Sequence, residues 1–204
     1  MKGERKQRSD KKRDVKPTVN FEVKDAIYRL AYLTKTTVKD TCEQMIKFAM
    51  NDVESIDNLS QHFRRAIRIN QTFHNGKPSN IPIDKRLQDG GERMTTRLTE
   101  YDFEILNAYA YALDVRPARA AAVLIDIAIR DYRFVNNYVM RYLHGEISKE
   151  DAKELREILR YMNRVTGEHH TMASLLGAIV DEVSSPIIRI KDAVNEFVIK
   201  HWRD

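Results

Sequence analysis

The sequence is poor in the residues on which disulfide-bonded and nucleotide-binding proteins depend. It has one cysteine, Cys42, among 204 residues, so an internal disulfide and a zinc-finger cysteine pair are both excluded. With only seven glycines and five prolines, a long glycine-rich phosphate loop is not expected. No apolar run approaches the roughly 18 residues of a membrane span, and the basic N-terminal segment lacks the apolar core of a secretory signal. We therefore expect a cytoplasmic protein without a membrane segment.

Signatures of enzymes and metal sites are also missing. There is no nucleophile elbow, phosphate loop or HExxH motif. Acidic residues are numerous, but they fall at solvent-face spacing in the predicted helices, so no catalytic pair stands out. His169 and His170 are adjacent and diverge on a helix, and no third ligand lies at a suitable spacing. We predict no enzymatic activity, no catalytic residue, no metal and no cofactor.

The net charge of +5 is unevenly distributed along the chain. Residues 1–16 contain eight Lys or Arg against three acids, and residues 60–92 contain six against three. Charge alone leaves two interpretations of the N-terminal arm: a solvated tail that binds nothing, or an arm that holds a phosphate backbone. The second interpretation assigns phosphate contacts to Lys11, Lys12 and Arg13.

The sequence matches itself, mainly in polarity, at an offset of 79 residues. In the second copy, Met94, Thr96 and Leu98 alternate with polar residues, which predicts a short strand. Thr99-x-x-Asp102 resembles a capping box and predicts the start of a helix. Residues 114–117 break that helix, and proline at 117 suits the first turn of the next one.

The first copy repeats this order less clearly. Residues 15–19 predict a poor strand that contains Pro17. Asn20 and Thr37 are suitable N-caps for two following helices. Another register, with the strand formed around Val19, Phe21 and Val23, is equally open. Between the copies, residues 60–70 are predicted to form a short basic helix.

Beyond residue 143, apolar residues at helical spacing predict three amphipathic helices, over 148–165, 171–183 and 186–201. Such helices need each other or a partner chain. A three-helix bundle within one chain and a contact between two chains are both open. The second arrangement predicts a homo-oligomer.

A strand, a capped helix, a short turn and a second helix, repeated within one chain, resemble the ribbon-helix-helix (Arc/MetJ-type) family of DNA-binding proteins. The resemblance covers roughly 13–52 and 92–131. It implies a mainly α protein with two ribbon-helix-helix repeats, followed by a C-terminal helical bundle. The predicted organisation has five parts: a basic arm (1–12), the first repeat (13–52), a basic linker with a short helix (53–92), the second repeat (93–142) and a helical oligomerisation or partner-binding region (143–204).

The resemblance also implies a site. In this family two strands form an antiparallel ribbon that enters the major groove, and its outward side chains contact the bases. The matching positions are Arg93, Thr95, Arg97, Lys16 and Thr18. In the other register of the first strand, Asn20 and Glu22 would take the places of Lys16 and Thr18. Phosphates are held at the N-terminus of each second helix, which implies Thr36 and Thr37 in the first copy and Arg116, with Arg119, in the second. Pro117 has no N–H, so the backbone contact is doubtful there.

The resemblance implies a nucleoid-associated, sequence-specific regulator that binds double-stranded DNA, most simply a transcriptional repressor. An accessory role in plasmid partition, a relaxosome or an antitoxin is the alternative, and there the C-terminal helices would hold a protein partner. The C-terminal segment distinguishes the two, because self-association favours the regulator and capture of another protein favours the accessory role.

Overall fold

The computed structural model describes residues 12–87 and 90–146, together with Lys153 and Arg160. The described residues belong to two compact units, one containing 12–28 and 37–130 and the other containing 29–36 and 131–146. A mainly helical chain with short antiparallel strand pairs was expected and is confirmed at this level. Apart from Lys153 and Arg160, which are helical, the three helices predicted between 148 and 201 lie outside the described residues.

The described elements are short strands and helices of 8 to 15 residues, arranged as two strands followed by three helices and then four strands followed by three helices. In chain order they are β1 (Arg13–Val15), β2 (Thr18–Val19), α1 (Phe21–Leu33), α2 (Val38–Asn51), α3 (Val53–Ser60), β3 (Ile67–Ile69), β4 (Thr72–His74), β5 (Glu92–Arg93), β6 (Thr96–Leu98), α4 (Glu100–Leu113), α5 (Pro117–Arg130) and α6 (Tyr132–Glu146).

Residues 13–19 and 92–98 form a two-stranded antiparallel ladder, here called the ribbon. β1 pairs with β6, and β2 pairs with β5, in one continuous register. Between the two pairs, the carbonyl of Pro17 accepts a hydrogen bond from the Met94 N–H at 2.8 Å. Because proline has no N–H to donate in return, the regular pairing is interrupted at this point.

The alternative register for the first strand is wrong. α1 begins at Phe21, and the Asn20 side chain accepts a hydrogen bond from the Val23 N–H at 2.8 Å. Asn20 therefore caps the helix, as the first register predicts, and Phe21 and Val23 are helical residues. The capping interaction satisfies an N–H that the first helical turn leaves without a partner.

The other predicted helix starts are also observed. The Thr37 hydroxyl accepts from the Asp40 N–H, and the Thr99 hydroxyl accepts from the Asp102 N–H, each at 3.1 Å. α5 begins at Pro117, whose fixed φ suits the first helical position. The two threonine caps and Pro117 thus mark the starts of α2, α4 and α5.

Corresponding features of the chain recur 79 residues apart. α5 has the bounds of α2 shifted by that number at both ends. Lys35 (φ 48°) and Asp114 (φ 57°), also 79 apart, have left-handed backbone conformations in the turns before these helices. Asp52 and Asp131 cap α3 and α6 by accepting from backbone N–H groups. The correspondence therefore extends from the strands to a third helix.

The core of the first unit lies between the ribbon and the helix pair α2 and α5. Val15, Val19, Met94 and Leu98 are buried on one face of the ribbon. The facing helices contribute Met45, Ile46, Ala49, Leu124, Ile125 and Ala128, which are fully buried. This buried face supplies the hydrophobic stabilisation that such short strands need.

The short basic helix predicted for residues 60–70 is wrong. α3 ends at Ser60, and residues 67–74 form a hairpin of β3 and β4. Ile67 and Ile69 are buried while Arg68 between them is exposed, which is the period of a strand rather than of a helix. Asn70, with φ 53°, provides the left-handed residue of the turn.

The second unit contains the end of α1, the turn after it and the described part of α6. Asp131 accepts from the Arg133 N–H and also forms an ion pair with its guanidinium, which lowers the pKa of the Asp131 carboxyl. The Phe134 ring stacks on the Tyr138 ring with their centroids 5.4 Å apart, and the Tyr138 hydroxyl donates to the Thr36 hydroxyl. Within the described residues, no helix is both long and apolar enough to cross a membrane.

Candidate nucleic-acid interface

One face of the ribbon is directed away from the core and carries the five predicted base-reading residues. Along the first strand Val15, Pro17 and Val19 are buried, whereas Lys16 and Thr18 between them are exposed. The second strand alternates in the same way. Its outward residues are Arg93, Thr95 and Arg97, of which Thr95 is half-buried. The pleat therefore brings all five side chains to one surface.

Asp14 also belongs to this outward face and was missed by the sequence analysis. It lies opposite Arg97 in the ladder, and its carboxylate accepts from the Arg97 Nε at 2.8 Å. Both side chains are about half exposed. The outward face is thus not uniformly basic. Only the strand pairing could reveal this contact, because the two residues are 83 positions apart in the sequence.

The basic residues at the start of the ribbon, Lys12 just before it and Arg13 at its first position, contact acids of the protein itself. Lys12 forms an ion pair with the buried carboxylate of Glu43 at 2.6 Å. Arg13 pairs with Glu100 and lies over the Phe103 ring, 5.0 Å from its centroid. These contacts support the fold, and the predicted phosphate contacts of Lys12 and Arg13 remain predictions. Lys11 lies outside the described residues.

The N-terminus of α2 lies beside strand β6. The hydroxyl of the buried Thr96 donates to the carbonyl of Lys39 in the first turn of α2 at 2.9 Å. Thr37, at the cap, is exposed. The positive end of the helix dipole is therefore available beside one end of the ribbon. Thr36 belongs to the second unit, where its hydroxyl contacts Thr34 at 2.9 Å and Tyr138 at 3.1 Å.

The N-terminus of α5 lies beside the other end of the ribbon and opens onto a groove of about 290 Å³. We call it the α5 groove. It is lined by Thr18, Lys85, Arg86, Leu87, Gly90, Gly91, Arg116, Ala118 and Arg119. Arg116 and Arg119 were predicted from the sequence, whereas Lys85 and Arg86 were not. The signal for them was the basic excess of residues 60–92, which gave no indication of where the segment packs.

Specific contacts hold the linker residues around the α5 groove in place. The Arg119 Nε donates to the Asp84 carbonyl at 2.8 Å. Gly91 approaches β2 so closely that a Cβ there would lie 2.4 Å from the Val19 carbonyl oxygen. Only glycine fits at that position. The residues on either side of the groove are therefore fixed to α5 and to the ribbon.

A second basic cluster joins the linker to the end of α4. Arg65 forms an ion pair with Asp114 at 2.7 Å, and Arg64 and Lys85 lie 3.9 and 3.7 Å from the same carboxylate. The hydrogen bond from Arg65, followed by the charges of Arg65, Lys85 and Arg64, lowers the pKa of Asp114. Arg65 also donates to the Tyr111 carbonyl at 2.8 Å. The linker thus packs against the C-terminus of α4, where cations are favoured by the helix dipole.

The described residues offer little that resembles a catalytic or metal site. They contain no group of three or more His, Cys, Asp or Glu side chains arranged to hold a metal ion. Cys42 is fully buried, and burial raises the pKa of its thiol to about 12. Such a thiol is a poor nucleophile at neutral pH. His169 and His170 are outside the described part of the chain.

Searches with the sequence matched no family model and no curated protein, and the search of solved structures also found no match. The function is therefore inferred from the outward face of the ribbon and from the two helix N-termini beside it.

Proposed function

We propose that this chain is a non-enzymatic protein of ribbon-helix-helix architecture that binds double-stranded DNA sequence-specifically and acts as a transcriptional repressor. The observation that carries the proposal is the outward face of the ribbon, on which Lys16, Thr18, Arg93, Thr95 and Arg97 lie together. In this proposal the two repeats of one chain pair with each other.

The shape and chemistry of the ribbon suit the major groove of DNA. That groove is about 12 Å wide and admits a two-stranded ribbon. Arg93 and Arg97 can each donate two hydrogen bonds to a guanine, and Thr18 and Thr95 can contact a thymine methyl or bond to a base. Lys16 adds a flexible cation between them. These residue types can provide both affinity and sequence preference.

Corresponding structural features occur twice in the chain, 79 residues apart, and this supports two repeats of the same architecture. If two equivalent repeats pair about a local twofold axis, positions related by the offset must lie symmetrically along the ladder. The observed register has this property. Val15 lies opposite Thr96, and Thr18 lies opposite Arg93. The same register places Lys16 opposite Thr95. These two residues are 79 positions apart, so they form the central pair of a ladder with this symmetry.

The proposal is tested by replacing Arg97 with alanine in the full-length protein. Loss of a base contact should cost about 1–3 kcal/mol on the preferred duplex and much less on random DNA. Arg68→Ala is the matched control, because Arg68 is an exposed arginine on β3 that lies outside the ribbon and the α5 groove. The control should bind like the wild type.

The preferred duplex can be obtained by selection from a random library, and a footprint on DNA flanking the protein's own gene then tests the repressor role. Protection over a promoter supports repression. Undetectable binding of the wild-type protein to every duplex at low salt overturns the proposal. An equal loss for Arg97→Ala on preferred and random DNA would instead make Arg97 a phosphate contact.

A further inference from the structure

The two ends of the ribbon differ in the way they can hold a phosphate. At the end beside α2, Thr37 caps the helix and the residues that follow retain their backbone N–H groups. At the end beside α5, Pro117 occupies the first helical position and removes one N–H. A phosphate at α5 therefore has one backbone N–H fewer to bind, although the first turn of α5 carries no acid whereas that of α2 carries Asp40.

The α5 groove supplies side-chain charge at the end beside α5. Lys85 and Arg86 come from the linker, and Arg116 and Arg119 come from the start of α5. None of the described residues that line the groove is acidic. Arg86, Arg116 and Arg119 repel each other across one concave surface, and that repulsion is relieved when an anion binds. The charge of Lys85 is partly balanced within the protein, because its ammonium lies 3.7 Å from the Asp114 carboxylate.

The position of the groove indicates which anion it suits. Thr18, an outward residue of the ribbon, is one of its lining residues, so the groove adjoins the proposed base-reading face. A duplex whose major groove receives the ribbon brings its phosphodiester backbone to the flanks of the ribbon. Arg86 and Arg116 are exposed and can reach a backbone outside the protein surface.

We infer that the α5 groove binds a backbone phosphate of the DNA on one side of the ribbon, with Lys85 and Arg86 of the linker as ligands together with Arg116 and Arg119. This inference rests on the proposed function. It adds that the two flanks of the bound DNA are held by different chemistry, and that the linker between the repeats is part of the interface.

The test compares two double variants of the full-length protein. Lys85→Ala with Arg86→Ala removes the linker cations of the groove. Arg68→Ala with Lys77→Ala removes two exposed cations of the same linker that do not line the groove. Both change the net charge equally, so a general electrostatic effect is the same for both.

We expect the Lys85/Arg86 variant to bind preferred and random duplexes about tenfold more weakly than the Arg68/Lys77 variant at the same salt concentration. The plot of log K against log salt should become shallower by about 0.9 for each phosphate contact that is lost. Phosphate-ethylation interference should disappear on one flank of the site and persist on the other. Selection for the preferred base sequence should remain.

Three results overturn the inference. Equal affinities and salt slopes for the two double variants exclude the groove from the interface while the wild type still binds DNA. Loss of interference on both flanks replaces a local contact with a global effect. If inorganic phosphate raises the Tm of the wild type but not of the Lys85/Arg86 variant, and DNA binding is unchanged, the groove binds a free phosphate group instead. Failure of the wild type to bind any duplex is a separate result, which overturns the proposed function itself.

Discussion

At the scale of single residues, the pair Asp14 and Arg97 is the most informative contact on the ribbon. A carboxylate on a surface that approaches DNA is unfavourable, unless it holds a cation in a useful position. The Asp14 carboxylate contacts only the Nε of Arg97 within the described structure, at 2.8 Å. The terminal nitrogens of the Arg97 guanidinium form no hydrogen bond among the described residues, so in the proposed complex they can donate to a guanine. An exposed ion pair of this kind adds little stability, so we expect its main effect to be on the orientation of Arg97.

Asp14→Asn should weaken discrimination between DNA sequences while increasing binding to random DNA. Removal of the negative charge reduces repulsion from phosphates, and loss of the ion pair leaves Arg97 less ordered. Competition binding with preferred and random duplexes measures both effects. Asp57→Asn, an exposed aspartate on α3, is the charge-matched control. Unchanged discrimination in Asp14→Asn would exclude the orienting role.

Tyr109 offers a test of the core at the same scale. Its ring is fully buried and its hydroxyl donates to the Met50 carbonyl at 2.8 Å. Tyr109→Phe should reduce the free energy of unfolding by about 0.5–1.5 kcal/mol at pH 7, as expected for one lost hydrogen bond. Urea denaturation followed by circular dichroism measures this change. A change near zero would mean that the bond contributes no net stability.

The pH dependence of the same pair of proteins gives a second readout. Burial raises the pKa of Tyr109 above its ordinary value. The protonated phenol is therefore favoured by folding, and its stabilisation is complete below about pH 10, the ordinary tyrosine pKa, and decreases as the pH rises further. Wild-type protein should lose stability faster than Tyr109→Phe above that pH. Parallel pH profiles would contradict the assigned burial.

At the scale of elements, the helix N-termini divide into two kinds. α2 and α4 each begin after a threonine whose hydroxyl accepts an N–H at 3.1 Å, whereas α5 begins at Pro117. The two threonine caps are locally alike, but only Thr37 is a predicted phosphate contact. A comparison of Thr37 with Thr99 therefore distinguishes the effect of losing a helix cap from the effect of losing a phosphate contact.

Thr37→Ala and Thr99→Ala should each lower the free energy of unfolding by about 1 kcal/mol, because each leaves a helix N–H without its side-chain acceptor. Only Thr37→Ala should also weaken DNA binding and make its salt dependence shallower. Thermal unfolding and binding isotherms of the two variants provide the comparison. Equal effects on DNA affinity would remove Thr37 from the predicted phosphate contacts.

At the scale of the whole molecule, one chain supplies both strands of the ribbon. β1 and β2 pair with β6 and β5 across more than 70 residues of intervening chain. The unit proposed to bind DNA therefore needs no second copy for its ribbon. The repeats have different outward residues, so the surface they present to DNA is asymmetric. This predicts a site without twofold symmetry for each chain.

Cross-linking tests this topology directly. Thr18 and Arg93 are opposite each other in the ladder, and such neighbours are close enough for a disulfide when both are cysteine. Thr18→Cys with Arg93→Cys should form an intrachain disulfide on mild oxidation, independent of protein concentration. Non-reducing electrophoresis and mass spectrometry of the digest detect it. Covalent dimers joining position 18 of one chain to position 93 of another would show that the strands pair between chains.

Local patterns in the sequence allowed much of the candidate interface to be predicted. The alternation around Met94 and Thr96 assigned the outward face of the second strand, and the threonine caps assigned the starts of α2 and α4. These features depend on the period of a strand and on contacts within one helical turn. The hairpin at 67–74 was missed because its alternation covers only three residues, Ile67 to Ile69, which are too few to distinguish a strand from a helix in the sequence.

The sequence by itself determined which residues are polar on each strand, where the capped helices begin and how far apart the corresponding features lie. Only the tertiary structure decided that the two strands pair within one chain, that Asp14 contacts Arg97 and that Lys85 and Arg86 lie beside the start of α5. The physical reason is the range of the interactions. Periodicity and capping act over two to four neighbouring residues, whereas strand pairing and the α5 groove depend on burying apolar surface contributed by distant parts of the chain.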